Sequence, residues 1–272
     1  MSWPTTTLYD RRIESVRGHM SKRRLDGATA IVTGGGTGVG RATALALARE
    51  GARVVVANRS AESGQASVSA IQEMGGEALF VQTDVSKDAD VRALVDATLG
   101  RFGKLDLLIN NAAILGDLTL TAESTEENWD RVLDINLKGP WLCMKHAIPH
   151  MVAQKSGIVV NVASATALRS FSALAIYTAS KAGLTALTRV AALEYARMGL
   201  QIKSVCVGAV RTPMNESVRS TPEGEAFLAG MHPVNRIAEP EEIANAIVWL
   251  CSDEASFMIG PTLNITGGME IM

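Results

Sequence analysis

TAIVTGGGTGVG, residues 29–40, places a short run of β-branched and apolar residues directly before a cluster of glycines. Residues 41–50 continue as an alanine- and leucine-rich stretch, which favours a helix. Glycines between a strand and a helix permit a tight turn and let backbone N–H groups approach a diphosphate at the helix N-terminus. The stretch predicts the first strand and turn of a dinucleotide-binding sheet. The alternative is an ordinary glycine turn that binds no ligand, which would have the same local sequence pattern.

The alternation of short apolar runs and longer helical stretches continues to the C-terminus. Strands are predicted at 29–33, 53–57, 78–83, 105–110, 157–162, 201–207 and 262–265, and helices at about 38–50, 61–74, 87–101, 125–154, 175–198 and 240–251. Pro149 is expected to kink or end the fourth helix, because proline removes a backbone donor. The pattern predicts an α/β fold: a single-domain, Rossmann-type doubly wound parallel sheet of about seven strands with helices on both faces.

Residues 1–26 lack this periodicity and carry Pro4, successive threonines and a scatter of basic residues. We expect them to form a flexible N-terminal extension, followed by a dinucleotide-binding catalytic domain over residues 27–272. A mitochondrial address is disfavoured by Asp10 and Glu14, since such segments are poor in acids. A translation start at Met20 is the other alternative.

Composition points to small-molecule chemistry. The net charge is -2, from 26 basic and 28 acidic residues with no sustained basic stripe, so nucleic acid and anionic membranes are not indicated as partners. No apolar run approaches the length of about 18 residues that a membrane span needs, and we expect a cytoplasmic protein. Cys143, Cys206 and Cys251 lie in apolar stretches and are predicted to be buried free thiols.

Three residues in the second half of the chain predict acid–base chemistry. Tyr177 and Lys181 are four residues apart in a predicted helix, so both side chains lie on one face, and Ser164 precedes Tyr177 by thirteen residues. A cation beside a phenol favours the phenolate and is expected to lower the tyrosine pKa from about 10. Tyr177 is therefore a candidate general acid and base.

The end of the second predicted strand bears on the choice of cofactor. An acid there commonly binds the adenosine ribose and repels a 2′-phosphate, whereas this chain has Asn58 followed by Arg59. A guanidinium holds a phosphate well, so NADP is favoured over NAD. The alternative is that Arg59 is a solvated surface charge.

With these motifs in order, the chain resembles the short-chain dehydrogenase/reductase family over roughly residues 25–272. The glycine cluster is similar to the family's cofactor motif, Asp84-Val85 to its adenine contact, and residues 110–113, Asn-Asn-Ala-Ala, to its fourth-strand motif. The resemblance implies the catalytic residues Asn136, Ser164, Tyr177 and Lys181. It implies cofactor contacts at Gly34, Gly36, Thr37, Gly38, Val39, Asn58, Arg59, Asp84, Val85, Asn111, Ala112, Ala113, Tyr177, Lys181, Gly208, Val210 and Thr212.

The implied reaction is hydride transfer between a nicotinamide and a carbonyl or carbinol carbon. Tyr177 would exchange the proton, Ser164 would bind the same oxygen, Lys181 would lower the tyrosine pKa and bind the ribose, and Asn136 would hold a relay water. A dinucleotide-sensing binding protein and a sugar-nucleotide epimerase are the alternatives. Members of the family are usually tetramers, so a homo-oligomer is expected.

Two segments are expected to shape the pocket for an alcohol or ketone substrate. Residues 165–176 are mostly small and apolar, with Arg169 either attracting an anion or facing water. Residues 212–236 carry charged residues on predicted helix and glycines that suit a closing lid.

The chain departs from the family pattern at three places. In residues 110–113, alanine replaces the usual glycine. Val207-Gly208 stands where the family has Pro-Gly, which leaves the local loop geometry less constrained. Thr266-Gly267-Gly268 replaces the more usual Asp-Gly-Gly, a change expected to affect subunit packing rather than chemistry.

His146 and His150 have the i, i+4 spacing of a zinc pair. No acid or thiolate accompanies them at metal-ligand spacing, and Pro149 is expected to break the helix between them. We predict no metal site.

Overall fold

A computed structural model describes residues 24–272, and the predictions made for residues 1–23 lie outside this described part. The strands are β1 Thr29–Thr33, β2 Arg53–Asn58, β3 Ala78–Gln82, β4 Leu107–Asn110, β5 Gly157–Ser164, β6 Leu200–Val207 and β7 Thr262–Ile265. They form one seven-stranded sheet in the order β3-β2-β1-β4-β5-β6-β7, with every neighbouring pair parallel. The predicted fold class is confirmed.

Helices connect the strands. They are α1 Gly38–Arg49, α2 Ala61–Glu73, α3 Asp88–Phe102, α4 Glu126–Leu133, α5 Gly139–Gln154, α6 Ala175–Tyr195, α7 Glu216–Arg219, α8 Pro222–Gly230 and α9 Pro240–Leu250. The last three follow β6. The lid helices, α7 and α8, lie in the segment that is predicted to close over the ligand, and that closure stays a prediction. The charged residues predicted to be helical in this segment lie on α7 and α8.

Side chains of the central strands alternate between two apolar cores. In β1, Ala30 and Val32 pack into a core with α1, α2 and α9, whereas Ile31 packs into a second core with α3 and α5. All five residues of β1 are buried. Burial on both faces explains why these strands read as continuous apolar runs rather than alternating ones.

The predicted single helix over 125–154 is interrupted, and the interruption is not at Pro149. A π-helical segment, Asp134–Lys138, separates α4 from α5, and α5 continues through Pro149 to Gln154. Of the two outcomes expected at Pro149, a kink or an end of the helix, the end is wrong. Pro149 lies on the exposed face, where water can satisfy the carbonyl that the missing N–H would have bonded.

The ordered packing begins before residue 27. Leu25 is buried in the core beside α1, and its backbone N–H donates to the Glu50 carbonyl at 3.0 Å. Arg24 lies 3.8 Å from the Glu254 carboxylate. The part of the predicted extension that is described, residues 24–26, is therefore packed against the domain.

All three cysteines are buried free thiols, as predicted. Within residues 24–272, no helix is both long and apolar enough to span a bilayer. Several large apolar side chains are exposed near α5 and α6, among them Trp141 and Leu193. Such surface favours self-association, and the predicted homo-oligomer stays a prediction.

Candidate active site

One elongated cavity lies beyond the carboxyl ends of the strands, where ligands bind in doubly wound sheets. Its volume is about 820 Å³. One end is formed by the glycine turn after β1 and by residues that follow β2, and the other end by the lid helices and the C-terminal segment. Of the predicted site residues, all but Gly36 and Asn136 line this cavity.

The glycine turn presents an open helix N-terminus to the cavity. Gly34 and Gly38 adopt positive φ angles of 65° and 51°, a conformation that favours glycine. Thr37 is the N-cap of α1 but makes no side-chain cap bond, and the first turn of α1 has no acidic residue. The first N–H groups of α1 are therefore free of side-chain acceptors and suit an anionic diphosphate.

Gly36 packs against Asn58 and the start of α2, and its predicted contact with the cofactor stays a prediction. It does not line the cavity, and a β-carbon at this position would lie 2.6 Å from Asn58 Nδ2 and 2.7 Å from Ser63 Oγ. Gly36 therefore allows the turn to approach the start of α2, and it supports the binding surface from behind.

At the far end of the cavity, the side chain of Asn58 is hydrogen-bonded within the described part of the protein and that of Arg59 is not. The Asn58 amide donates to Ser60 O at 3.0 Å and to Ser63 Oγ at 2.9 Å. Arg59 is exposed at the cavity rim, and its guanidinium has no hydrogen-bond or ion-pair partner among the described residues. The Arg59 guanidinium is thus available to a ligand at this end, whereas the Asn58 amide nitrogen is engaged by the protein.

The motif after β4 joins the ends of two strands. The Asn111 side chain donates to Thr33 O at 3.0 Å, and its backbone N–H donates to Thr33 Oγ1 at the same distance. These bonds hold the β1 and β4 ends together, and they fix the wall formed by Ala112 and Ala113.

The three candidate catalytic side chains that reach the cavity come from two elements. Ser164 is the last residue of β5, and Tyr177 and Lys181 lie one turn apart on α6. The Ser164 hydroxyl lies near enough to the Tyr177 phenol to influence its pKa, and its oxygen accepts from Thr166 N–H at 3.2 Å. Lys181 Nζ lies 5.8 Å from the centre of the tyrosine ring and donates to Val162 O at 2.9 Å.

Burial, rather than the lysine charge, dominates the acidity of this pair in the protein alone. Burial raises the pKa of Tyr177 to about 12, although the nearby Ser164 hydroxyl opposes the rise. Burial also lowers the pKa of Lys181 to about 8. The predicted lowering of the tyrosine pKa is therefore wrong for the protein alone, because an apolar site disfavours both charged forms. At neutral pH, Tyr177 holds its proton.

Asn136 positions the site from outside the cavity. It lies fully buried in the π-helical segment, where its Oδ1 accepts from Ile114 N–H at 2.9 Å and its Nδ2 donates to Ile114 O at 2.8 Å and Ser180 Oγ at 3.2 Å. Because its side-chain amide is engaged by the protein, a relay water would have to use main-chain atoms. That relay stays a prediction.

The substrate end of the cavity is apolar. Its walls include Leu115, Leu118, Phe171, Leu174, Met214, Phe227, Leu228, Met231 and Met269. Of the charged residues in the described chain, only Arg59, Asp84 and Lys181 line the cavity, and none of these belongs to the lid or the C-terminal wall.

Met269 was not predicted as a site residue, because only long-range contacts bring the C-terminal segment to the cavity. The Arg169 guanidinium donates to Met269 O at 3.0 Å and lies over the Phe171 ring at 5.6 Å. Arg169 is thus a wall support rather than an anion attractor. The hydroxyl of Thr266 donates to Glu270 in the same segment, so the Thr-Gly-Gly departure bears on the pocket wall within one chain.

His146 has an acidic neighbour that the sequence spacing did not reveal. Its Nε2 lies 3.0 Å from Asp88 Oδ1, which also accepts from Lys145 Nζ at 2.7 Å. Residues 24–272 contain no group of three or more histidine, cysteine or acidic side chains placed to hold a metal ion.

Comparisons with known proteins agree with the fold and the motifs. A family model described as enoyl-(acyl carrier protein) reductase matches residues 34–270. The chain is 42% identical to 2,5-dichloro-2,5-cyclohexadiene-1,4-diol dehydrogenase of Sphingobium indicum, over 90% of this chain and 97% of that protein. It is 40% identical to cis-4-hydroxycyclohexanecarboxylate dehydrogenase of Sinomonas cyclohexanicum, over 88% of this chain and 95% of that protein.

A solved structure of levodione reductase superposes with a TM-score of 0.89 at 36% identity, covering 91% of this chain and 99% of that one. The parallel sheet, the glycine turn and the Ser-Tyr-Lys group on β5 and α6 are thus accompanied by near full-length similarity to named dehydrogenases and reductases. The chain belongs to the short-chain dehydrogenase/reductase family of oxidoreductases.

Proposed function

We propose that the protein is an NADP-preferring oxidoreductase that interconverts an uncharged cyclic ketone and its secondary alcohol, with Tyr177 as the acid and base. The observation that carries the proposal is one continuous cavity that joins the open N-terminus of α1 to Ser164, Tyr177 and an apolar substrate end. When bound, the nicotinamide supplies or accepts the hydride. The glycine turn would hold the diphosphate of the cofactor, and Lys181 would hold the nicotinamide ribose.

The chain's own residues account for the proton. In the reducing direction, Tyr177 Oη donates its proton to the substrate oxygen, and the Ser164 hydroxyl donates a hydrogen bond to the same oxygen as negative charge develops there. The high tyrosine pKa in the protein alone keeps that proton in place until it is needed. A charged Lys181 stabilises the phenolate that remains, so the site needs the ammonium form during the transfer.

The proposed substrate class rests on the absence of a cationic side chain at the substrate end of the cavity, among the described residues. Both curated relatives are named for hydroxyl groups on six-membered rings, and one of those substrates carries a carboxylate. Across the described residues, the substrate end here has apolar walls and no cation, and Arg169 is engaged with Met269 and Phe171. An uncharged ring suits these walls, whereas a carboxylate would be buried without a partner.

A matched pair of substrates tests the proposal. We expect NADPH-dependent reduction of cyclohexanone to exceed that of 4-oxocyclohexanecarboxylate by about a hundredfold in kcat/KM, because burying an unpaired carboxylate costs several kcal/mol. The measurement is steady-state NADPH oxidation with each ketone. Faster turnover of the carboxylate would contradict the proposed substrate class, and no turnover of any ketone would contradict the proposed reaction.

The cofactor preference depends on Arg59. We expect Arg59→Leu to lower kcat/KM for NADPH by about tenfold while NADH changes little, because a guanidinium–phosphate bond to an exposed site contributes about 1 to 2 kcal/mol. Arg49→Leu, at the exposed far end of α1, is the matched control and should leave both cofactors unaffected. A wild type that prefers NADH, or an unchanged NADPH/NADH ratio in Arg59→Leu, would overturn the preference.

A further inference from the structure

A buried histidine lies behind the wall of the cavity. His232 follows the lid helix α8 and is only 4% exposed. It does not line the cavity, but residues on both sides of it do: Gly208 and Ala209 after β6, and Leu228 and Met231 in the lid. The imidazole therefore joins the lid to the loop after β6 without facing a ligand.

Two hydrogen bonds fix the tautomer of this imidazole. The Ala209 backbone N–H donates to His232 Nε2 at 3.0 Å, and His232 Nδ1 lies 2.9 Å from the Leu228 carbonyl oxygen. A backbone N–H can only donate and a carbonyl can only accept, so Nε2 must be without a proton and Nδ1 must carry one. The neutral imidazole satisfies both main-chain groups.

The first of these bonds sets the orientation of the Gly208–Ala209 peptide. No peptide bond in the described chain is cis, and in a trans peptide the N–H and C=O groups point in opposite directions. Because the Ala209 N–H points to His232 behind the wall, the Gly208 carbonyl points the other way, toward the side on which the cavity lies. A β-carbon on residue 208 would lie 2.6 Å from His232 Nε2, so the ring packs directly on the glycine.

The Gly208–Ala209 peptide lies at the point where the pairing of β6 ends. Val207 is the last paired residue, and Gly208 is the least restricted residue type. The Gly208 N–H donates to Ile265 O at 3.1 Å, and Ala209 O accepts from Ala238 N–H at 2.9 Å. His232 supplies the partner for the remaining main-chain donor, the Ala209 N–H.

We propose that His232 is a positioning residue for the hydride transfer: it orients the Gly208–Ala209 peptide beneath the bound dinucleotide and ties that peptide to the lid. This inference rests on the proposed function, since it requires a dinucleotide at the loop after β6. It predicts that cofactor affinity and turnover depend on an acceptor at the position of Nε2, and not on the imidazole as such.

Three substitutions separate the two hydrogen bonds. In His232→Gln the amide oxygen can replace Nε2 as the acceptor for Ala209, whereas His232→Asn is too short to reach it but can still donate to Leu228. His232→Phe fills the space and makes neither bond. We expect the Kd for NADPH to rise about tenfold and kcat to fall about tenfold in the Phe and Asn variants, because a buried N–H loses its acceptor. The Gln variant should stay within about threefold of the wild type.

The readouts are the Kd for NADPH from fluorescence titration, kcat and KM from steady-state reduction, and the thermal midpoint of each variant. Val95→Ala, in the core beneath α3, is a control that lowers stability without touching the loop, and its Kd should not change. Folded Phe and Asn variants with wild-type Kd and kcat would overturn the inference, as would a Gln variant no better than Phe. A wild type that binds neither NADPH nor NADH would overturn the proposed function and this inference with it.

Discussion

Tyr177→Phe is expected to lower kcat for ketone reduction by about a thousandfold while leaving the Kd for NADPH within about threefold of the wild type. The phenol is the acidic group at the cavity that holds its proton at neutral pH, since burial raises its pKa to about 12. Removing its oxygen removes the proton donor but keeps the aromatic ring, which is buried against the cavity wall. The loss should therefore appear in kcat rather than in cofactor binding.

Tyr195→Phe provides the matched control for this prediction. It is the same substitution on the same helix, about 27 Å along its axis from Tyr177, at the last residue of α6. Its activity should equal that of the wild type. If Tyr177→Phe kept more than about a tenth of the wild-type kcat, Tyr177 would not be the general acid, because acid–base catalysis contributes at least about a hundredfold.

The elements that the sequence predicts best are those whose residues respond to burial alone. The bounds predicted for β1 agree residue for residue with the structure, because a strand covered on both faces has one continuous apolar run between turn residues. The glycine turn is also predictable from the sequence, since the positive φ angles at Gly34 and Gly38 favour glycine. In both cases the cause is local.

The features that sequence reasoning missed depend on contacts between distant residues. The π-helical segment Asp134–Lys138 is accompanied by the bonds between Asn136 and Ile114, 22 residues apart, and helical periodicity does not reveal them. Met269 reaches the cavity with the support of Arg169, 100 residues before it in the chain. Such pairings appear only once the sheet order is known.

The acidity of Tyr177 shows the same limit within the site. The spacing of Tyr177 and Lys181 correctly places both on one face of a helix, and it suggests that the cation acidifies the phenol. Burial of the same pair has the opposite effect, and burial depends on how β5, β6 and the π-helical segment pack around the helix. Helical spacing identifies the partners but not the polarity of their surroundings.

Lys181→Met is expected to abolish most activity and, at the same time, to make the protein more stable at neutral pH. Burial lowers the pKa of Lys181 from 10.5 to about 8, so the folded state holds the lysine proton less tightly than the unfolded chain does. A pKa change of this size corresponds to about 3 kcal/mol. The substitution removes this cost but also the donor to Val162 O, so a net gain of about 1 to 2 kcal/mol is expected.

The pH dependence of this gain has a definite sign. Below pH 8 the lysine is charged in both states, and the full cost is present in the wild type. Between about 8 and 10.5 the folded protein is deprotonated while the unfolded chain is still protonated, so the wild type gains stability as pH rises. The advantage of Lys181→Met, measured as the difference in unfolding free energy from urea titrations, should be largest at pH 7 and shrink toward pH 10.

Lys203→Met is the matched control, with the opposite expected sign. Lys203 is also fully buried, but its ammonium donates at 2.8 Å to two carbonyls, Leu250 O at the end of α9 and Ala255 O in the following turn. Removing it leaves two buried carbonyls without a donor, so we expect a loss of about 2 kcal/mol. Replacing a buried lysine that is kept for chemistry should increase the unfolding free energy. Replacing a buried lysine that is kept for structure should decrease it. A loss of stability in Lys181→Met at pH 7 would assign Lys181 to the second class and would contradict the role that the proposed reaction gives it.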